Sequence, residues 1–339
     1  MPAVPRGHLD LRTIHCAALA GNPRGDPVER PCAVYLPAGY DAGTDRYPVV
    51  LLLHAFTGSA QGWFNVAPFA PGILDRIDAL FASGIPPFLT VFPDGMTALG
   101  GSQWIDSPGN GAYGQMLVQD ILGHVDRTYR TVKAPRARAV AGRSSGGYGS
   151  WQLVRHFPGV FGHIASHSAD AYFEYCYLPE FSRAASALAS AGGVDAWWAG
   201  FERRVRETKM GGDDHAVVNL LAMAAAYSPD PGRPLGVALP FDLATARIDE
   251  RVWETWLAED PVRFVERDPE AFRALHSVFI DCGTRDEFGL RWGARMLARA
   301  VGGGRATVVH EEYEDGHMGT TYRFDRSLAF LGRRLQRDG

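Results

Sequence analysis

The pentapeptide Gly142-Arg143-Ser144-Ser145-Gly146 carries the clearest chemical signal of the chain. It follows a short apolar run at 137–141 and precedes a helix-like segment that ends at Phe157-Pro158. A serine between small residues, on a sharp turn from a strand into a helix, is typical of a nucleophile elbow, which exposes the hydroxyl. The helix N-terminus then directs free N–H groups at the reacting centre. The pattern predicts Ser144 as a nucleophile, and the alternative is an ordinary Gly-Ser loop.

A catalytic serine needs two partners, because its hydroxyl is a weak nucleophile at neutral pH. A general base must take the proton, and an acid must orient the base. In doubly wound sheets these partners follow the serine in the order acid, then histidine, each on the loop after a late strand. Asp286 follows the predicted strand 277–281, with Glu287 as its main rival, and a solvated turn is the alternative for both. His317 follows the next predicted strand, 306–309, between two glycines, and is the predicted base.

An oxyanion hole is the fourth part that acyl chemistry requires. Two backbone N–H groups must point at the developing negative charge, and they contribute roughly 3 kcal/mol or more to transition-state stabilisation. One donor is predicted to be Ser145, directly after the nucleophile. The other is expected in the loop 54–58, and we assign it to Phe56, with Ala55 and Thr57 as alternatives.

Elements that could position these residues alternate between strands and helices along most of the chain. Residues 8–18 and 31–36 alternate apolar and polar side chains, which predicts antiparallel strands. Later strands are continuous apolar runs bounded by turn residues, as in a parallel sheet that is buried on both faces. They lie at 47–53, 87–92, 161–166, 277–281 and 306–309. The pattern predicts an α/β fold with a mostly parallel central sheet and helices on both faces.

Residues 171–272 interrupt this alternation and are rich in aromatic side chains. We expect a helical, aromatic-rich insertion, or cap, after the sixth strand, which divides the core into residues 1–170 and 273–339. Because ligands bind at the carboxyl edge of such sheets, the insertion is predicted to form a wall of the substrate pocket. Tyr172 and Phe173 are expected to face substrate, and the alternative is that they belong to the insertion's own core.

Bulk properties exclude several classes of function. The chain has 339 residues, 46% of them hydrophobic, and a net charge of −4, which does not favour nucleic acid or an anionic membrane as a partner. No apolar run is long enough to span a membrane, so a cytoplasmic protein is expected. Four distant cysteines read as reduced thiols. No histidines or cysteines have the spacing of metal ligands. The segment 109–114 matches the glycine-rich pattern of dinucleotide-binding loops, but no buried strand precedes it. Neither a metal nor another cofactor is therefore predicted. A homodimer is compatible with the sequence.

The whole pattern resembles the bacterial putative esterase family of the α/β-hydrolase superfamily, a group related to esterase D, feruloyl esterases and mycolyltransferase antigens. The resemblance runs from about residue 8 to 335, and these segments carry it: 21–27, 52–58, 92–95, 101–107, 142–147 and 281–288. It implies an α/β-hydrolase fold with Ser144, Asp286 and His317 as the triad and with Phe56 and Ser145 as oxyanion donors. Gln103 and Trp104, within 101–107, are taken as substrate-binding residues. Ala55 departs from the glycine that relatives usually carry after the histidine.

These observations predict a serine carboxylic-ester hydrolase that acts through an acyl-enzyme on a small to medium ester. One alternative is an acyltransferase, which uses the same triad but passes the acyl group to an alcohol. Another is a non-catalytic ligand-binding protein with this fold, although binding alone needs no triad. A peptidase is a third alternative. Amides have poorer leaving groups than esters, and nothing in the sequence indicates a peptide-binding module.

Overall fold

The central sheet is the element on which the site is built. Within residues 5–212 and 214–336, which the computed structural model describes, eight strands form it in the order β1-β2-β4-β3-β5-β6-β7-β8. The strands are β1 His8–His15, β2 Glu29–Leu36, β3 Val49–Leu53, β4 Leu89–Pro93, β5 Arg138–Arg143, β6 His163–His167, β7 Ser277–Gly283 and β8 Thr307–Tyr313. The strand β2 runs antiparallel to β1 and β4, and the other neighbours are parallel. The predicted α/β class with a mostly parallel sheet is confirmed.

Helices connect the strands and cover the sheet. They are α1 Ile73–Ala82, α2 Tyr113–Gln115, α3 Leu122–Thr128, α4 Ser145–His156, α5 Phe173–Cys176, α6 Leu178–Ala191, α7 Val194–Glu207, α8 Asp214–Tyr227, α9 Glu250–Leu257, α10 Pro261–Arg267, α11 Glu270–Arg273, α12 Leu290–Val301 and α13 Phe324–Gly332. A π-helical segment, Met116–Ile121, joins α2 to α3. Within the described residues, none of these helices is long and apolar enough to cross a membrane.

The two faces of the sheet bury separate sets of apolar side chains. In β3, Val49, Leu51 and Leu53 point to one face, whereas Val50 and Leu52 point to the other. This alternation follows from the two-residue period of a strand, and burial on both faces explains the uninterrupted apolar sequence. Helices α1 and α13 cover one face, while α4 and α12 contribute to the core on the opposite face.

The segment between β6 and β7 carries α5 to α11, and its described residues contain no strand of the central sheet. Its buried side chains, among them Leu188 and Trp256, belong to the same apolar cluster as Val34 and Leu51 of the sheet. The helical character predicted for 171–272 therefore agrees with the structure. The division of the chain at residues 170 and 272 stays a prediction, and residues 1–4, 213 and 337–339 of the predicted ranges lie outside the described residues.

Candidate active site

Ser144 occupies a sharp turn between β5 and α4. Its backbone has φ +56° and ψ −124°, outside the conformations that a serine ordinarily adopts. Such backbone strain costs about 1–3 kcal/mol and persists only where the surroundings enforce it. Here β5 and α4 approach so closely that a Cβ on Gly142 would lie 2.4 Å from the backbone carbon of Gly146. The Ser144 N–H donates to the His167 carbonyl oxygen of β6 at 2.9 Å, which fixes the height of the turn above the sheet.

His317 and Asp286 meet at the carboxyl edge of the sheet, beyond β8 and β7. The Asp286 Oδ2 atom lies 2.8 Å from His317 Nδ1, and the Asp286 side chain is fully buried. Since a carboxylate only accepts, Nδ1 carries the proton and Nε2 is left with a free lone pair. Asp286 Oδ1 accepts the backbone N–H of Phe288 at 3.0 Å, which holds the carboxylate in this orientation.

Glu287, the rival acid, has a different partner. Its Oε2 atom accepts the backbone N–H of His317 at 2.7 Å and makes no contact with the ring nitrogen that Asp286 occupies. The two adjacent carboxylates therefore bind different parts of the histidine: Asp286 binds the imidazole and Glu287 binds the main chain. Of the two, Asp286 has the geometry of an orienting acid.

The loop 54–58 lines the same cavity as Ser144. The Thr57 N–H donates to Gly100 O at 3.0 Å and the Gly58 N–H to Ala55 O at 2.9 Å, so neither is available to an oxyanion. The assignment of the donor to Phe56, with Ala55 as the alternative, stays a prediction that is compatible with these hydrogen bonds. Ser145 is the first residue of α4, where N–H groups have no partner within the helix.

His54 braces that loop rather than taking part in proton transfer. Its Nδ1–H donates to Ala55 O at 2.8 Å, and its Nε2 accepts from the Gly95 N–H at 2.9 Å. Both ring nitrogens are thus used within the protein. Burial lowers the pKa of His54, which keeps the ring neutral.

A cavity of about 350 Å³ is lined by four of the five residues predicted for the triad and the oxyanion hole. They are Ser144, Ser145, His317 and Phe56, whereas Asp286 does not line the cavity. The insertion supplies further wall residues: Cys176, Tyr177, His215 and Asn219. The volume of the cavity falls within the range of small-molecule sites. A second depression, of about 260 Å³ and lined by Val265 and Arg305 among others, contains none of the predicted residues.

Asp170 is the site residue that the sequence analysis missed. It lies three residues beyond the end of β6, lines the cavity, and accepts the Ser144 hydroxyl through Oδ1 at 3.5 Å. Burial raises the pKa of the Asp170 carboxyl, and hydrogen bonds from Gln103 and Tyr177 oppose that effect. Its place after a parallel strand, at the same edge as Asp286, is a signal that could have identified it.

None of the four predicted substrate-binding residues lines the cavity. Phe173 is fully buried and packs against Tyr148, Tyr177 and Tyr227, so it is a core residue and not a pocket wall. Tyr172 donates its backbone N–H to Asp260 and does not line the cavity.

Trp104 is buried too, with its indole N–H on His54 O at 3.2 Å, and it supports the loop 54–58 from behind. Gln103 does not line the cavity, but its amide donates at 3.0 Å to Asp170, which does. Both residues have a positive φ, 59° for Trp104 and 55° for Gln103, so the backbone is strained at these two positions.

A second serine–histidine–aspartate chain lies inside the protein. His167 Nδ1 is 2.7 Å from Asp281 Oδ1, and His167 Nε2 is 2.8 Å from Ser327 Oγ. All three residues are at most 1% exposed, and none lines the cavity. Since no substrate can reach it, this chain ties β6, β7 and α13 together. Residue types alone therefore do not identify a catalytic triad; access does.

Comparison with known proteins shows to what this arrangement is similar. Residues 27–322 match the family described as "Putative esterase". An esterase of Mycobacterium tuberculosis (strain H37Rv) is 26% identical over 212 residues, which cover 58% of this chain and 43% of that protein. The chain thus spans less than half the length of this curated relative.

Solved structures share the fold at low sequence identity. A ferulic acid esterase has a TM-score of 0.61 and 18% identity, covering 97% of this chain and 98% of its own. An S-formylglutathione hydrolase from Agrobacterium tumefaciens has a TM-score of 0.58 and 14% identity, covering 99% and 98%. A feruloyl esterase module from Clostridium thermocellum has a TM-score of 0.55 and 14% identity, covering 100% and 93%. At these identities the likeness establishes the α/β-hydrolase fold.

Proposed function

The chain belongs to the Putative esterase family, and we therefore propose that it is a serine carboxylic-ester hydrolase that acts through an acyl-enzyme. One observation carries the proposal: His317, with Nδ1 on Asp286 at 2.8 Å, opens onto the same cavity as the strained Ser144. A nucleophile, a base and an orienting acid at one accessible point are what acyl transfer requires.

Acylation begins when the Ser144 hydroxyl turns from Asp170 toward His317 Nε2. His317 takes the proton while Oγ bonds to the ester carbonyl carbon, and the charge that develops on the carbonyl oxygen is stabilised by the N–H groups of Phe56 and Ser145. The imidazolium, held by Asp286, then protonates the departing alcohol as the bond between carbon and alcohol oxygen breaks.

Deacylation repeats these steps with water. His317 removes a proton from water, the hydroxide oxygen bonds to the acyl carbon, and the same two N–H groups stabilise the second tetrahedral intermediate. Collapse breaks the bond to Ser144 Oγ, which regains its proton from His317, and the carboxylic acid leaves. The alcohol leaves with the proton that Ser144 gave up, and water supplies the proton that replaces it, so the protein ends the cycle unchanged.

The substrate class follows from the cavity. A volume of about 350 Å³, lined by Phe56, Phe288 and Leu290 beside a few polar groups, suits an acyl group of small to medium size. A series of p-nitrophenyl esters from acetate to dodecanoate should show its largest kcat/KM among the shorter chains. A maximum at the longest chain would contradict this assignment.

Replacement of the nucleophile tests the proposal directly. Ser144→Ala should lower kcat for p-nitrophenyl butyrate by about a million-fold, because the triad acts as a unit. Ser186→Ala, on the exposed surface of α6, is the matched control and should retain wild-type turnover. A serine-directed phosphonate should label Ser144, as shown by peptide mapping. Turnover of Ser144→Ala within tenfold of wild type would exclude this nucleophile.

A cytoplasmic location is part of the proposal. It is supported by the thiols: Cys16, Cys32, Cys176 and Cys282 are all buried and unpaired. Proteins in oxidising compartments more often pair their cysteines. Cell fractionation followed by immunodetection tests this location, and recovery from an extracellular fraction would contradict it.

A further inference from the structure

The two oxygens of Asp170 have unequal partners, although both belong to one buried carboxyl beside the nucleophile. The Oδ2 atom accepts from Gln103 Nε2 and from the Tyr177 hydroxyl, each at 3.0 Å. The Oδ1 atom faces the Ser144 hydroxyl at 3.5 Å. Asp170 itself is 7% exposed and lines the cavity. One oxygen is therefore held by the protein, and the other is directed toward the reacting serine.

Gln103 shows that this arrangement is built around an acceptor. Its Nε2 atom donates toward Asp170 and also lies 3.0 Å from the Tyr227 hydroxyl, while its buried Oε1 atom has no partner among the described residues. Because the amide oxygen has no partner, the hydrogen bonds of the amide nitrogen determine how the Gln103 side chain is oriented. Two donors on Oδ2 fix the carboxyl plane, so Oδ1 keeps its direction when Ser144 moves.

Catalysis removes the partner of Oδ1. Once Ser144 has passed its proton to His317, Oγ is bonded to the acyl carbon and can no longer donate to Asp170. A buried carboxylate oxygen without a donor is unfavourable. A donor on the substrate that reached Oδ1 would restore the hydrogen bond from the first tetrahedral intermediate onward. Such an interaction is stronger in the transition state than in the resting enzyme, where Ser144 competes for Oδ1, and it therefore raises the rate.

The acyl chain is the part of the substrate that can carry this donor. Around the tetrahedral carbon, the oxyanion faces Phe56 and Ser145, and the departing alcohol faces His317. The acyl chain takes the remaining direction, and its first carbons stay close to Oγ, which lies within reach of Asp170. On the basis of the proposed esterase function, we infer that Asp170 selects esters whose acyl group bears a hydroxyl on the first or second carbon beyond the carbonyl.

A hydroxyl fits this position better than an ammonium group. An ammonium has three donors to satisfy, whereas Asp170 offers one free oxygen, and the neighbouring wall includes the apolar side chains of Phe56, Phe288 and Leu290. Arg143 also lines the cavity and would repel a cation. A hydroxyl needs one acceptor and carries no charge into the cavity.

Matched substrates test the selection in the wild-type enzyme. The p-nitrophenyl esters of 2-hydroxypropanoate and 2-methylpropanoate differ by a hydroxyl in place of a methyl group, as do those of 3-hydroxybutanoate and 3-methylbutanoate. After division by each ester's rate of alkaline hydrolysis, kcat/KM should favour the hydroxyl partner at least tenfold in one pair or both. Equal values, or a preference for the methyl partner, in both pairs would overturn the inference.

Asp170→Asn assigns the preference to this residue. The amide has nearly the same shape but no charge, so the hydroxyl-to-methyl ratio should fall about tenfold relative to wild type. This ratio does not depend on the fraction of folded enzyme, because both substrates report on the same preparation. Asp106→Asn, at an exposed carboxylate that does not line the cavity, is the control and should keep the wild-type ratio. An unchanged ratio in Asp170→Asn would overturn the role of Asp170.

The outcomes separate this inference from the proposed function. If no ester is hydrolysed, or if Ser144→Ala retains turnover, the esterase proposal itself fails. If hydrolysis depends on Ser144 but shows no preference for the hydroxyl partner, only the selection by Asp170 fails. A 2-aminopropanoate ester that exceeds the 2-hydroxypropanoate ester would show that the free oxygen binds a cation, and would overturn the choice of a hydroxyl.

Discussion

The Glu287 carboxylate accepts the backbone N–H of His317 at 2.7 Å, and so it holds the loop of the proposed base by its main chain. Its neighbour Asp286 holds the same histidine by the ring, at 2.8 Å. Sequence position alone could not separate these two acids, since both follow β7 directly. Their partners do separate them, because only an acid on the imidazole can set the tautomer and stabilise the imidazolium.

Substitution of the two acids should have unequal effects on catalysis. Asp286→Asn should lower kcat by about four orders of magnitude, because an amide on Nδ1 favours the wrong tautomer. Glu287→Gln keeps an acceptor oxygen for the His317 N–H, and its kcat should fall by less than about tenfold. Steady-state kinetics on one ester decides the matter, and a larger loss in Glu287→Gln would reverse the assignment.

Close packing at the elbow predicts that Gly146 tolerates no side chain. A Cβ there would lie 2.3 Å from the Leu53 carbonyl oxygen, a backbone atom that cannot move aside. Gly146→Ala should reduce the free energy of unfolding by about 3 kcal/mol or more. Gly200→Ala, within α7 and 3.5 Å from the nearest atom, should instead stabilise by up to about 1 kcal/mol. Urea denaturation measures both, and equal midpoints would refute the packing argument.

The buried histidine chain predicts a variant that loses stability but not chemistry. Asp281 binds His167 Nδ1 at 2.7 Å and Arg323 Nε at 2.8 Å, and it is fully buried. Asp281→Asn leaves the arginine without its full counter-charge and should cost about 3–5 kcal/mol of stability. At a temperature where the variant is folded, kcat should stay within about tenfold of wild type. A loss as large as that of Asp286→Asn would give Asp281 a catalytic role.

Acid should destabilise the protein through His163. Burial lowers the pKa of His163 to about 4, and the hydrogen bond between Nε2 and the Arg136 carbonyl oxygen opposes that effect only in part. An unfolded histidine has a pKa near 6.5, so between these values the unfolded chain binds the additional proton. The contribution to stability is therefore fully present above about pH 6.5 and is lost as the pH falls toward 4. It amounts to about 3 kcal/mol.

Urea unfolding at pH 7 and pH 4.5 measures this effect. His163→Gln, which cannot ionise, should lose less stability than wild type over that interval. The exposed His8 provides the control, and His8→Gln should follow the wild-type dependence. The same loss in His163→Gln as in wild type would show that other groups cause the acid sensitivity.

Local sequence patterns predicted most of the fold. The apolar run at 47–53 contains β3, and the segment 171–272, predicted to be helical, carries α5 to α11. Boundaries failed where tertiary contacts decide them. The predicted strand 277–281 continues to Gly283, because pairing with β8 extends it. Likewise, no propensity indicates the π-helical turn Met116–Ile121 inside a helix that reads as regular.

The candidate site was predictable only in part, and for a physical reason. Ser144 follows β5, Asp286 follows β7 and His317 follows β8, all at one edge of the sheet, so their encounter follows from topology. Composition cannot say which way an aromatic ring points: Phe173, expected in the pocket, is buried against Tyr148 and Tyr227, which are far away in sequence. Asp170 escaped notice for the same reason, since its partner Gln103 lies 67 residues earlier.

The hydrogen bond from the Ser144 N–H to His167 O ties the main chain of the proposed nucleophile to β6, whose five residues are all buried. Through His167 the elbow shares its anchor with Asp281 and Ser327, and none of these groups can open to solvent without disruption of the sheet. The Ser144 amide should therefore exchange its hydrogen for deuterium as slowly as the central strands do. Heating should also remove activity and the folded state in a single transition, with no inactive but folded form at intermediate temperatures.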